Sequence, residues 1–266
     1  MLSGLIVYSK TDKDKNTWFI EKCINNLSKK GISLVFAYED DALTHIENNH
    51  IDFVIYRARN YRVLETIEKQ GIRTFNTSLV NKIANDKYLT SQFLKEHNIS
   101  CVPSDLSFEH LSLPFVMKSV DGHGGQEVYL INRLEDINHY KKPNKKYIFQ
   151  RFFKNSGDLR LYLLNKKVIG AVLRNNKQDF RSNFSLGGDA INYKPEQEIV
   201  DTAIKIAHLL NADYIGVDFL KTENGWLVNE IEDPVGARML YKASGVDAVT
   251  LFTDYIYCAL NNKSSF

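Results

Sequence analysis

Apolar residues recur at strand and helix spacings along almost the whole chain, and the alternation changes character partway. Over residues 1–76, short apolar runs at Leu5–Tyr8, Ser33–Ala37 and Phe53–Tyr56 predict strands. Helical spacing around Trp18–Lys30 and Val63–Gln70 predicts helices between them, and Arg73–Phe75 predicts a short edge strand. Strand and helix in turn are the pattern of a parallel sheet with covering helices. From Thr77 to Asn98 the spacing is helical without Gly or Pro, which predicts a helical connection to the next unit.

After Pro103 and Pro114 the pattern becomes strand-rich. Strands are predicted at Pro114–Lys118, Val128–Ile131, Tyr147–Phe153, Leu159–Leu164 and Val168–Arg174, then a long polar loop and a helix over Glu196–Leu210. The apolar positions Ile199, Val200, Ala203, Ile204, Ala207 and Leu210 share one face of that helix. An apolar closing helix is predicted over Val246–Leu260. The expected fold class is α/β with α+β character. Its units are an N-terminal parallel-sheet subdomain (1–76), a helical connection (77–112), a small flap subdomain (113–154) and a C-terminal mixed-sheet subdomain (155–266).

The most informative stretch runs from Asp218 to Glu232. Tyr214–Leu220 and Trp226–Glu232 both read as strands, and Glu223-Asn224-Gly225 suits a three-residue hairpin loop with Gly225 in the left-handed position. That register sets Asp218 opposite Glu230, with Glu232 on the same face. Two carboxylates about 4 Å apart repel by roughly 4 kcal/mol at an effective dielectric of 20. A hard dication with oxygen ligands, magnesium before calcium, would neutralise them; a solvated hairpin face, or pairing with lysines, is the other reading.

Composition narrows the class. Lys and Arg total 34 against 32 Asp and Glu, a net charge of +2, with no basic stripe interleaved with aromatics, so nucleic-acid binding is not indicated. The three cysteines are far apart and lack Cys-x-x-Cys spacing, which fits a reducing cytosol and no structural zinc. The opening Leu2–Tyr8 reads as a first strand rather than a targeting segment, and no apolar run approaches a membrane span, so a cytoplasmic protein is expected. The sequence leaves a homo-oligomer open.

Two further motifs face phosphate chemistry. Lys118 ends a strand and leads into Gly122-His123-Gly124-Gly125, a loop that can bring bare amides against an anion. With strands on both sides it is neither a P-loop nor a dinucleotide fingerprint; it reads as a nucleotide flap or as a plain glycine hairpin. Downstream, Asp179–Asn183 leads into Gly187-Gly188, with Arg160 and Arg174 on the preceding strands. Together with Lys87, Lys118 and Arg181 beside an acidic hairpin, these describe a site for a polyphosphate with magnesium.

In order, the chain carries Asn85-Asp86-Lys87, Pro114–Lys118 with its glycine flap, Ile148-Phe149-Gln150, Gly157–Arg160, Asp179–Asn183 with Gly187-Gly188, Gly216-Val217-Asp218 and Val228–Glu232. This series strongly resembles the ATP-grasp superfamily, and most closely the RimK-like carboxylate–amine ligases. The resemblance spans nearly the whole chain and is richest over residues 85–247; the run from Asp179 through Gly188 is its most specific piece. It implies an ATP-grasp fold in which Lys87 and Lys118 hold ATP phosphates, Gly124 and Gly125 close over them, and the backbone of Gln150, Arg151, Phe152 and Phe153 reads adenine. It further implies that Asp158 meets the ribose, Arg181 and Asn183 contact the γ-phosphate, Arg160 and Arg174 assist, and Asp218, Glu230 and Glu232 hold magnesium, manganese being an alternative. Two positions depart from the family pattern: Arg151 stands where a Glu is frequent, and Glu232 where Asn is usual.

The mechanism implied by that resemblance is attack of a substrate carboxylate on the γ-phosphate to give an acyl phosphate, followed by displacement of phosphate by an amine of a small molecule or peptide. A phosphotransferase on the same scaffold and an ATP-binding module without turnover are the competing readings. In the first unit, Tyr56-Arg57-Ala58-Arg59-Asn60 follows a strand of the expected parallel sheet. Loops at such strand ends bind ligands, so Arg57 and Arg59 either fork onto a substrate carboxylate or are solvated surface charges.

Overall fold

The computed structural model describes residues 1–125, 127–154, 157–175 and 189–261. Its first sheet is parallel, in the order β2-β1-β3-β4, formed by β1 (Ser3–Tyr8), β2 (Ser33–Tyr38), β3 (Phe53–Tyr56) and β4 (Arg73–Phe75), the last at the edge as expected. Between the strands run α1 (Lys10–Lys13), α2 (Thr17–Ser28), α3 (Ala42–Asn48) and α4 (Tyr61–Glu68). Leu5–Tyr8 of β1 and all of β3 are apolar and buried because helices cover both faces. Ile6, Tyr8, Phe53 and Ile55 meet Phe19, Ile20, Cys23 and Leu27 of α2, and Leu5, Val7, Val54 and Tyr56 meet α3 and α4.

The helical connection is broken in two: α5 (Ser78–Ala84) and α6 (Lys87–Glu96). Side-chain caps explain the break, since Thr77 accepts from Val80 N and Asp86 from Leu89 N. Lys87 thereby opens α6.

The second sheet is antiparallel, in the order β5-β8-β6-β7, from β5 (Ser104–Asp105), β6 (Phe115–Ser119), β7 (Val128–Ile131) and β8 (Tyr147–Arg151), with α7 (Glu135–Tyr140) between β7 and β8. The glycine loop joins β6 to β7, so it is a strand-loop-strand flap.

The third sheet has the order β11-β10-β9-β12-β13, from β9 (Asp158–Leu164), β10 (Lys167–Asn175), β11 (Asp189–Asn192), β12 (Tyr214–Thr222) and β13 (Gly225–Glu232). It is accompanied by α8 (Gln197–Leu209), α9 (Arg238–Ser244) and α10 (Ala248–Leu260). Period-two alternation divides its faces. Leu159, Leu161, Leu163, Ile215, Val217 and Phe219 pack under Ile199, Ala203, Ile206 and Ala207 of α8. On the opposite face, Tyr162, Leu164 and Tyr214 join a core shared with the first sheet and with Phe252 and Ile256 of α10. Along the same strands, the residues of that opposite face become Asp158, Arg160 and Asp218: the face that is apolar at one end is ionic at the other.

Candidate active site

The acidic hairpin keeps the expected register by a different route. Thr222 pairs with Gly225, so the loop is the two residues Glu223-Asn224 and Gly225, at φ +107°, belongs to β13. Phe219 pairs with Val228 and Asp218 with Glu230, which leaves Asn229 as an extra residue. A bulge of this kind bends the strand and re-aims its side chains. Here Asn229 and Glu230 both turn to Lys118, whose Nζ donates to Asn229 Oδ1 at 3.1 Å and Glu230 Oε1 at 3.3 Å.

The three carboxylates do not gather around a shared centre. Arg160 donates from Nε to Asp218 Oδ1 and from Nη2 to Asp218 Oδ2 and to Glu232 Oε1, each at 2.6 Å. Arg174 donates from Nη2 to Asp218 Oδ2 at 2.7 Å and bonds Asp158 Oδ1 through both Nε and Nη2. Glu230 instead faces Lys118 and, at 3.9 Å, Lys87. Among the described residues no cluster of three His, Cys, Asp or Glu side chains is arranged as a metal cage. Guanidinium and ammonium groups of Arg160, Arg174, Lys118 and Lys87 lie beside these carboxylates. Gly216 lies opposite Glu232, where a Cβ would meet Val235 at 2.8 Å and crowd Glu232 Cβ at 3.3 Å.

These contacts set the proton affinities. Burial pushes the Glu230 carboxyl up, but Lys87 and Lys118 outweigh it and hold it below the ordinary value. Asp158 and Asp218 share Arg174: burial, with the neighbouring Asp218 charge, pushes Asp158 up, whereas Arg160 and Arg174 overcome burial at Asp218 and hold it down.

Two cavities flank this ionic row. The first is bordered by Lys87, Lys118, the flap residues Gly122 to Gly125, the stretch Gln150, Arg151, Phe152 and Phe153, and by Asp158, Asp218, Asn229, Glu230 and Glu232. It encloses ≈ 880 Å³, open solvent included. Gly124 and Gly125 adopt φ of +67° and +73°, which a glycine holds without the strain a side chain would bring. Lys87 Nζ donates to Gly122 O, tying the flap to the start of α6. Gln150 is buried, its amide donating to Ser104 Oγ at 2.7 Å. Arg151 lies over the Phe153 ring, 5.5 Å from its centroid.

The second cavity is bordered by Lys15, Arg59, Arg160, Arg174, Arg238 and Lys242, with Glu232 its one carboxylate among the described residues and Trp18 and Tyr162 in its wall. His123, Gly124 and Glu232 border both cavities.

The candidate site residues expected from the sequence thus converge, with exceptions. Arg57 is not in either cavity. It is 3% exposed, donates to Tyr8 OH at 3.2 Å and Val235 O at 2.6 Å, and stacks 4.4 Å from the Phe19 ring centroid. Strand β3 ends at Tyr56, so alternation no longer holds Arg57 and Arg59 to one side; Arg59 alone reaches the second cavity, bonded to Asp12. Arg181 and Asn183 lie outside the described residues. Sequence reasoning missed His123, Asn229, Lys15, Arg238 and Lys242. Only the first two carried a local signal, His123 inside the glycine loop and Asn229 beside Glu230.

Comparison with known proteins agrees with this geometry. The whole fold superimposes on D-alanine–D-alanine ligase from Bacillus anthracis complexed with ATP, TM-score 0.78 at 15% identity, covering all of both chains; the architecture is an ATP-grasp fold. The model of the RimK-like ATP-grasp domain matches residues 57–256. Among sequence relatives, the uncharacterized protein MG011 homolog of Mycoplasma pneumoniae is 32% identical over 90% of this chain and 86% of its own. Human N-acetylaspartylglutamate synthase A is 30% identical over 76% of this chain and 57% of its own. The chain belongs to the RimK-like ATP-grasp family. No helix among the described residues is long and apolar enough to cross a membrane.

Proposed function

We propose that the chain is an ATP- and magnesium-dependent ligase that activates a carboxylate as its acyl phosphate and passes it to an amine. The observation that carries this reading is the pair of cavities with a common border: one built of lysines, a glycine flap and a hydrogen-bonded strand end, the other walled by cations. The first suits a nucleotide polyphosphate. Lys87 and Lys118 would hold its phosphates as point charges, Gly124 and Gly125 would cover them, and Gln150 to Phe153 would face the base. Asp158, whose bonds from Arg174 both end on Oδ1, keeps Oδ2 for a ribose hydroxyl. Arg181 and Asn183 are assigned to the γ-phosphate on the family pattern.

The second cavity suits the carboxylate. Arg59, Arg238 and Lys15 offer donors to an anion, and the Tyr162 hydroxyl beside them is buried without a hydrogen-bond partner among the described residues. An unmet buried hydroxyl costs free energy that a polar substrate group would recover. Arg160 and Arg174, in the wall of this cavity and bonded to acids that border the first, are placed to stabilise charge passing between phosphate and carboxylate. Holding both reactants against one wall replaces a bimolecular encounter with a positioned one.

Asp218, Glu230 and Glu232 present oxygen donors only, a set that fits a hard dication. Bound there, magnesium would supply charge neutralisation to the phosphates; the chain's own part is to keep these acids ionised and oriented through Arg160, Arg174 and Lys118. Arg151 and Glu232, the two departures from the family pattern, favour the alternative of nucleotide binding without turnover.

The test is magnesium-dependent ADP release over a panel of acids (N-acetyl-L-aspartate, succinate, L-glutamate) crossed with amines (L-glutamate, glycine), with products identified by mass spectrometry. Amide plus free phosphate supports the ligase. A phosphorylated product would indicate phosphotransfer, and ATP binding with no product from any pair would indicate a module without turnover.

A further inference from the structure

His123 stands where the two cavities meet, bordering both. It occupies the middle of the flap between β6 and β7, and among the described residues its ring takes no part in any hydrogen bond, ion pair or ring contact. Its surroundings are otherwise engaged. Arg and Lys side chains bordering the second cavity present donors only. Glu232 accepts a 2.6 Å bond from Arg160. Tyr162 keeps its proton, burial pushing its hydroxyl up to about 12. Glu232 is thus ion-paired and is assigned above to the metal, so among the described residues at the shared border the imidazole is the proton-accepting side chain with neither an ion pair nor such an assignment.

Amide formation by a ligase, the reading on which this assignment rests, leaves one chemical requirement without a residue. An amine substrate arrives as an ammonium ion, whose lone pair is occupied by a proton, and it cannot attack until that proton is removed. We infer that His123 is the general base that takes this proton at the border between the cavities. A ring nitrogen of His123 accepts the proton and becomes imidazolium. The freed nitrogen lone pair forms the new C–N bond to the acyl carbon, the C–O bond to phosphate breaks, and the phosphate departs carrying the second amine proton as hydrogen phosphate. The imidazolium then returns its proton to water.

The electrostatic setting suits a base. Arg59 after β3, Asp12 on α1, Lys87 at the start of α6 and Glu232 at the end of β13 act on the ring electrostatically. Burial lowers the imidazole below its ordinary value, Arg59 and Lys87 lower it further, and Asp12 and Glu232 oppose them. A lowered imidazole is neutral at physiological pH, the form able to accept a proton.

The experiment separates this role from a merely structural one. Parent, His123→Ala and His123→Gln are supplied with ATP, magnesium and whichever acid of the ADP-release panel gives most ADP, then with either L-glutamate or hydroxylamine, an amine already unprotonated at neutral pH. Both variants should lose about 10²–10⁴-fold in amide formation with L-glutamate. Both should keep near-parent formation of the hydroxamate, and added imidazole should restore part of the lost rate to His123→Ala. Equal loss with both nucleophiles, or no loss with either, would overturn the assignment. Failure of the parent itself to give hydroxamate from any acid would strike the ligase reading, and that result is seen before any variant is compared.

Discussion

Arg160 on β9 lies in register with Asp218 on β12 and holds both of its carboxylate oxygens at 2.6 Å. One strand away, Arg174 is in register with Asp158 and reaches Asp218 as well. The result is a row of alternating charge across three strands, and its members are nearly all buried: Arg174 and Asp218 side chains are 4% and 5% exposed. The row sits between the two cavities and ties the geometry of one to the other.

Removing one member leaves its partners buried and uncompensated. Arg160→Met should therefore lower the unfolding free energy by about 3–5 kcal/mol, measured by urea denaturation. Combining it with Asp218→Asn should cost less than the sum of the two single changes, because the second substitution removes one of the charges the first left unpaired. Additive losses would show that the pair is not coupled as the distances imply.

Glu230→Gln tests the acidic hairpin with less structural damage, since Glu230 is held by two flexible lysines rather than by the arginine row. Turnover should fall by at least about 10²-fold while the thermal transition falls less than it does for Arg160→Met. Near-parent ADP release from a folded variant would remove Glu230 from the site.

The same carboxyl gives a pH prediction. Its folded value lies below the ordinary one, so its contribution to stability is present above the unfolded value of about 4.3 and is lost as pH falls through the depressed folded value. Urea midpoints measured from pH 6 down to pH 3 should drop less steeply for Glu230→Gln than for the parent. Parallel curves would mean that Lys87 and Lys118 do not favour the ionised form.

How much the sequence could reveal depends on how local each signal is. Alternation exposed the strands of the first sheet, the edge position of β4 and the face of α8, because each depends on residues a few positions apart. The opposition of Asp218 and Glu230 was also legible, although a three-residue loop stood in for a two-residue loop plus a bulge; the two arrangements agree from Asp218 and Glu230 to Gly216 and Glu232 and are one residue out of step from Phe219 to the loop. Short helices with few apolar positions, α3 and α7, gave too weak a period to register. The second cavity was invisible, because Lys15 and Arg238 approach each other only when the first sheet docks on the third. Arg57 misled for the same reason. Its partner Val235 lies 178 positions away, and no spacing rule shows that a guanidinium will be buried against it.

That last contrast yields a prediction of opposite outcomes for neighbouring arginines. Arg59 borders the cationic cavity, so Arg59→Ala should raise the Michaelis constant for the carboxylate substrate several-fold and leave that for ATP nearly unchanged. Arg57→Ala removes a buried guanidinium that bonds Tyr8 and Val235 and stacks on Phe19. It leaves a void and an unmet carbonyl, and should cost about 2–4 kcal/mol of stability. Because Val235 leads into α9 and its Arg238, any kinetic effect of Arg57→Ala should accompany that loss of stability rather than appear in a fully stable enzyme. Urea unfolding and steady-state kinetics on both variants decide the matter. A stable Arg57→Ala enzyme with a selectively raised carboxylate constant would return Arg57 to the substrate site and show that the buried placement does not describe the working enzyme.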